Sequence, residues 1–156
     1  MTAPTELTPL DRKILTALQR DCRISNQDLA DAVGVSASAC WRRVRALEET
    51  GVINGYVALV DSNRVGLEFS AILHITLERH EKAHVDQFIS SMSRRPEVLD
   101  LFATAGEADY HLRVLCADKA AYNRFLDDFL FRLPGVAHVR TNLILKDLKS
   151  TRSLPL

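Results

Sequence analysis

Apolar and polar positions along the chain fall into two rhythms. Through the first third, apolar residues recur at helical spacing; later, short alternating runs take turns with helical stretches. Leu10, Ile14, Leu15 and Leu18 form one stripe. Thr8 can cap that helix, and Pro9 fits its first turn. Asp21 to Arg23 turns the chain, and Ile24 re-enters the core. Ser25, with Asp28 three residues on, starts a shorter helix in a weak form of the capping box. Leu29, Ala32 and Val33 are expected to face inward. Gly34 breaks this helix and Val35 returns to the core.

The stretch from Ser36 to Ile53 reads as a third helix. Ser36 can accept from a free amide at its start, and Gly51 suits its end. Cys40, Val44 and Leu47 recur at i, i+4 and i+7, so they share one face. Ser38, Arg42, Arg45 and Glu49 fall roughly opposite. Arg43 lies on one flank and Trp41 on the other. Helix, short glycine-containing turn and helix form the helix-turn-helix pattern. In that motif the second helix enters the major groove with its N-terminal residues near base edges.

Beyond Gly51 the period changes. Tyr56 to Val60 reads as a short strand, and Ser62 to Glu68 as the boundary between two domains. Ser70 to Glu78 alternates, with Ala71, Leu73, Ile75 and Leu77 on one face. Ala83 to Ser93 is helical, with a stripe of Val85, Phe88, Ile89 and Met92, and Pro96 ends it. Val98 to Thr104 and Asp109 to Cys116 are strands around a turn at Gly106. Asp118 caps a helix carrying Ala121, Tyr122, Phe125, Leu126 and Phe129. Pro134-Gly135 stops it, and Val136 to Leu145 is the last strand. Strand, helix, strand, strand, helix, strand is the ferredoxin-like plan, so the fold class is α+β.

The expected division is residues 1–54 for the helix-turn-helix domain, 55–68 for a linker with a short strand, and 69–156 for the ferredoxin-like domain. One layer of helices leaves the other sheet face uncovered. On the first strand that face carries Ser70, Ile72, His74 and Thr76. On the last it carries either His138, Arg140 and Asn142 or Val139, Thr141 and Leu143. This mixture of apolar and polar groups predicts a homodimer formed through the sheet.

Charge adds a constraint. Twenty basic and twenty acidic residues cancel, which gives no general support to a nucleic-acid partner. DNA binding has to rest on where charge sits, and Arg42, Arg43 and Arg45 stand within four positions of one helix. Arginine can bond bidentately to guanine or hold phosphates. Ser36 and Ser38 sit where free helix amides favour phosphate. Arg43 has an alternative, pairing with an acid inside the head. Trp41 reads as a packing or backbone-contacting residue. Three cysteines without paired spacing suit a reducing cytoplasm. No apolar run approaches a membrane span, and the N-terminus has no signal-peptide pattern.

Other chemistry is sparse. His80 and His84 have metal-ligand spacing but nothing to complete a set. Asp127 and Asp128 do not converge on one point. There is no nucleophile elbow or phosphate-binding glycine loop.

The segments LTPLDRKILTALQRDCRIS, LADAVGVSASACWRRVRALEETGVINGYVAL, AGEADYHLRV, RLPGV and RTNLILKDLKSTRSLPL together resemble the Lrp/AsnC (feast/famine) family of transcription regulators, over nearly the whole chain. The resemblance implies a winged-type helix-turn-helix domain and a C-terminal ferredoxin-like βαββαβ effector domain. It implies a cytoplasmic, non-enzymatic regulator without a cofactor, dimeric and assembling further, often to octamers. The implied partners are double-stranded DNA and a small-molecule effector such as a free amino acid. Ser36, Ser38, Arg42, Arg43 and Arg45 match the DNA-contacting positions. Gly106, Glu107, Asp109 and Tyr110 match the effector positions. A glycine turn can present amides to a carboxylate, and Asp109 can meet an ammonium. The plain structural roles are backbone freedom for Gly106, a turn residue in Asp109 and a core residue in Tyr110. Two other readings share this architecture. One is an enzyme resembling sirohaem decarboxylases, in which His111 or His138 serves a tetrapyrrole. The other is an amino-acid-binding module whose head has lost DNA binding.

Overall fold

A computed structural model describes residues 6–78 and 81–156. The chain forms two compact units, one of residues 1–59 with 150–156 and one of residues 60–149. The tail thus groups with the head, where the sequence placed it with the ferredoxin-like part. His80 lies outside the described residues, so its pairing with His84 does too.

The head holds α1 (Pro9–Arg20), α2 (Asn26–Val33) and α3 (Ala37–Glu49). Thr8 and Asp11 cap α1 reciprocally. The Asp11 amide donates to the Thr8 hydroxyl at 3.2 Å, and the Thr8 amide donates to Asp11 Oδ2 at 2.7 Å. Gly34 ends α2 at φ +77°, a left-handed conformation that favours glycine. The Ala30 carbonyl accepts from both Gly34 and Val35 there, closing the helix and aiming α3. Ile14, Leu15, Leu29, Ala30, Val33, Cys40 and Leu47 make the head core. Ala30 takes the inward place expected of Ala32, which is exposed. Ala30 sits one residue from Leu29 and three from Val33, on the buried edge of α2.

Tyr56 to Val60, expected as a strand, forms none. Val57, Leu59 and Val60 are exposed, and no strand among the described residues pairs with them. Alternation supplies a strand-like pattern, but a strand needs a ladder partner. Tyr56 instead donates its hydroxyl to Glu48 at 3.0 Å.

The second unit is a four-stranded antiparallel sheet in the order β2-β3-β1-β4. Its strands are β1 (Phe69–Leu77), β2 (Val98–Ala103), β3 (Tyr110–Cys116) and β4 (Val136–Leu143). The helices are α4 (Lys82–Ser93) and α5 (Lys119–Asp128). Ala71, Leu73, Ile75 and Leu77 alternate inward on β1, and Leu112 and Val114 face the same way from β3. Phe88 and Met92 from α4 and Tyr122 and Phe125 from α5 fill that side. Ile89 and Phe129, placed on the helix stripes by spacing, are exposed.

Strand register settles which residues face the other way. Ile72 lies opposite Asn142, His74 opposite Arg140, and Thr76 opposite His138. The outward set on β4 is therefore His138, Arg140 and Asn142. Thr141 points to the helices, where its hydroxyl lies 2.6 Å from that of Tyr122.

Candidate nucleic-acid interface and effector site

The first candidate surface is the outer edge of α3. Cys40 and Leu47 anchor its inner edge in the head core. The Asn26 side chain donates to the Ala37 carbonyl at 2.9 Å and ties the starts of α2 and α3 together. Ser36 caps α3 by accepting from the Ala39 amide at 3.3 Å, and its hydroxyl lies 3.3 Å from that of Ser38. Ser38, Arg42 and Arg45 are exposed.

The three arginines differ in what they hold. Arg43 is clamped to Asp11, with Nε on Oδ1 and a terminal nitrogen 2.6 Å from Oδ2. Asp11 is 0% exposed. The Arg43 guanidinium, against the opposing cost of burial, holds its carboxyl far below the ordinary carboxylate range. Asp11 in turn raises Arg43. One carboxylate thus caps α1 and braces α3. Arg45 lies 3.6 Å from Glu48 and 3.5 Å from Glu49, with its guanidinium over the Trp41 ring at 5.9 Å. Surface pairs of this kind are weak. Arg42 is the arginine of α3 with no ion-pair or hydrogen-bond partner among the described residues. Trp41 is 56% exposed and walls a groove of about 250 Å³ with Leu18, Ile24 and Tyr56.

The second candidate surface lies where the β2–β3 turn meets the outward sheet face. Asp109 and Tyr110 serve the fold. Asp109 Oδ2 accepts from the Leu77 amide at 2.8 Å, and the Asp109 amide donates to the Ile75 carbonyl at 3.0 Å. Tyr110 is buried, its ring 4.9 Å from that of Phe88. Gly106 and Glu107 stand in the open. Gly106 has no positive φ, and an added Cβ would meet nothing within 4 Å. The backbone therefore makes no demand for glycine there.

Glu107, with a side chain 82% exposed, accepts from Arg140 at 3.2 Å. These two border a depression of about 390 Å³, lined also by His74, Thr76, Ala108 and His138. His74 stacks edge-on against His111 at 4.6 Å, and its Nε2 lies 3.0 Å from the Asn142 amide nitrogen. Burial first, then the neighbouring His111 and Arg140, lowers the His74 pKa against an opposing pull from the Glu107 carboxylate. The sequence points to Glu107 but not to its partner. The signal for Arg140 is register: once His74 faces outward, its β4 partner does so as well. No group of three or more His, Cys, Asp or Glu suited to a metal occurs among the described residues, and no helix is long and apolar enough to cross a membrane.

A capped helix-turn-helix head joined to an α+β domain with an open polar depression defines a two-part, DNA-binding and ligand-binding class of regulator. Residues 7–54 match winged helix-turn-helix DNA-binding domains, and residues 70–154 match the Lrp/AsnC ligand binding domain. The chain belongs to the Lrp/AsnC family of transcriptional regulators. It is 37% identical to the DNA-binding transcriptional activator DecR of Escherichia coli K12, over 96% of this chain and 99% of that one. It is 36% identical to the leucine-responsive regulatory protein of Klebsiella pneumoniae, over 96% and 91%. Among solved structures, a Neisseria meningitidis transcriptional regulator in complex with L-Met superposes with a TM-score of 0.92 at 36% identity, covering 96% of this chain and 97% of that one. The feast or famine regulatory protein of M. tuberculosis complexed with L-methionine gives 0.83 at 31%, covering 92% and 95%.

Proposed function

We propose that this protein is a cytoplasmic, non-enzymatic transcription regulator whose α3 reads operator DNA and whose ferredoxin-like domain senses a free amino acid. The observation that carries the DNA half is Arg42, a cation with no partner among the described residues, on the outer edge of a helix whose other edge is locked in the core. Arg42 makes the main groove contact. Arg45 joins it by giving up Glu48 and Glu49. Ser36 and Ser38 set the helix start against a phosphate. Arg43 contributes by fixing α3 on α1. With no net charge to hold a single head on DNA, binding depends on two heads presented together. The outward sheet face, with Ile72 and Phe102 among its polar groups, is the surface through which two copies pair, and dimers then assemble further. The effector half rests on Glu107 and Arg140, an acid and a base placed to meet an α-ammonium and an α-carboxylate, with Gly106 leaving the turn open beside them.

Footprinting on the DNA upstream of the protein's own coding region, with and without amino acids, tests the whole reading. Arg42→Ala is expected to lower operator affinity by about 1–3 kcal/mol with an unchanged thermal midpoint. Unaltered gel-shift affinity would refute the role given to Arg42. Added tetrapyrrole is expected to leave the Soret band unshifted; a shift would favour an enzyme.

A further inference from the structure

The chain reverses as it leaves α3. Gly51 takes φ +71°, a left-handed conformation that favours glycine, and the Ile53 amide donates to the Leu47 carbonyl at 3.0 Å. Val52 and Ile53 pack against the head core, and Tyr56 comes back alongside the last turn of α3. Its hydroxyl donates to Glu48 Oε1 at 3.0 Å. The other oxygen of that carboxylate, Oε2, lies 3.6 Å from Arg45. One carboxylate is thus shared between a residue that follows α3 and an arginine on its outer edge. Tyr56, Glu48, Arg45 and Trp41 line the same groove. Partial burial first, then the Glu48 carboxylate and Cys22, raises the Tyr56 pKa, so the phenol keeps its proton and remains a donor. The two acids beside Arg45 are unequal. The Glu48 side chain is 29% exposed and that of Glu49 is 68% exposed, so water covers Glu49 far better than Glu48.

We infer that Tyr56 is a positioning residue for DNA binding: by holding Glu48 in the groove, it lets Arg45 leave that acid for a phosphate. This rests on the DNA reading above. When Arg45 turns to DNA, Glu48 loses its cation. A half-buried carboxylate left without a partner bears the cost of its lost hydration, and that cost opposes the move. The Tyr56 bond remains when Arg45 has gone, so it offsets part of that cost. It also keeps the negative charge against the head, whereas a released Glu48 can follow Arg45 toward the phosphates and repel them. Glu49 needs no such hold, because solvent already covers it.

Gel shifts of the full-length protein on the fragment upstream of its own coding region test it as a double-mutant cycle. Tyr56→Phe keeps the ring in the groove and removes only the hydroxyl. It is expected to weaken binding about two- to fivefold, with the thermal midpoint unchanged. Glu48→Gln removes the competing charge and is expected to strengthen binding about twofold. Tyr56→Phe added to Glu48→Gln, or to Arg45→Ala, is expected to weaken binding no further. A merely structural tyrosine would cost the same in every background. Such equal losses, or a Tyr56→Phe protein that binds as tightly as the parent, would overturn the positioning role. The DNA reading then stands if Arg42→Ala still weakens binding. Arg42→Ala and Arg45→Ala both binding like the parent, or a parent that does not retard the fragment, would overturn the DNA reading and this role with it.

Discussion

Each unit contains an acid that its surroundings put to structural work, and the two differ in what they leave exposed. In the head, Asp11 is buried and holds both the start of α1 and Arg43 of α3. With Arg45 loosely paired, Arg42 is left facing out. In the second unit, Asp109 takes the Leu77 amide and braces the end of β1, while Glu107 and Arg140 remain on the surface. The lesson is that residue type nominates a site but pairing decides it. The buried acid fixes the geometry, and the exposed group beside it is available to a ligand.

If the two units are energetically separate, a core truncation in one leaves the other intact. Phe88 is fully buried in the second core, and Phe88→Ala is expected to cost that unit about 3–5 kcal/mol. The protein's single tryptophan, Trp41, lies in the head, so its fluorescence reports the head during urea unfolding. The expected outcome is a lower midpoint by circular dichroism, with the Trp41 midpoint unmoved. Coincident shifts in both signals would mean that the two units unfold as one.

The second test separates the arginines. Arg43→Ala removes the bidentate partner of a buried carboxylate, so the Trp41 unfolding midpoint is expected to fall clearly. Arg42→Ala is expected to leave that midpoint in place and lower DNA affinity instead. If both variants lose affinity with equal stability, Arg43 reaches DNA and the division between brace and reader fails.

The fold was largely legible because the signals were local. Thr8, Ser25, Ser36 and Asp118 each cap a helix where a side-chain oxygen meets a free amide, and the period changes where the sheet begins. The site was less legible because its geometry depends on residues far apart in sequence. Asp11 and Arg43 are 32 positions apart, as are Leu77 and Asp109, and no spacing rule links them. Two outward sets on β4 were open until pairing with β1 chose between them. Tyr56 to Val60 misled for a related reason: alternation describes side chains, whereas a strand is made by its neighbour.

Acid sharpens the picture of Asp11. Its folded pKa is depressed, so its contribution is fully present above the unfolded carboxylate value of about 3.9 and is lost as pH falls toward the folded value. Asp11→Asn is expected to lower head stability at pH 7 and to flatten its dependence on pH below about 4, read again through Trp41. A variant as steep as the parent in that range would show that other carboxylates govern the acid limb.

The smallest effect concerns the tail. The Leu154 amide donates to Gln19 Oε1 at 2.6 Å, and Gln19 Nε2 donates to the Leu154 carbonyl at 3.2 Å. One carboxamide on α1 thus satisfies both backbone groups of one residue, as a neighbouring strand would. Both bonds are open to solvent, so each contributes only about 0.5–1.5 kcal/mol. Gln19→Ala is expected to speed hydrogen exchange at the Leu154 amide by several-fold, with the head midpoint unchanged. Gln19→Glu keeps the acceptor and loses the donor, and should fall between. Unaltered exchange in Gln19→Ala would mean that Leu154 is held by something other than this amide, and the tail would no longer count as part of the head's hydrogen-bonded structure.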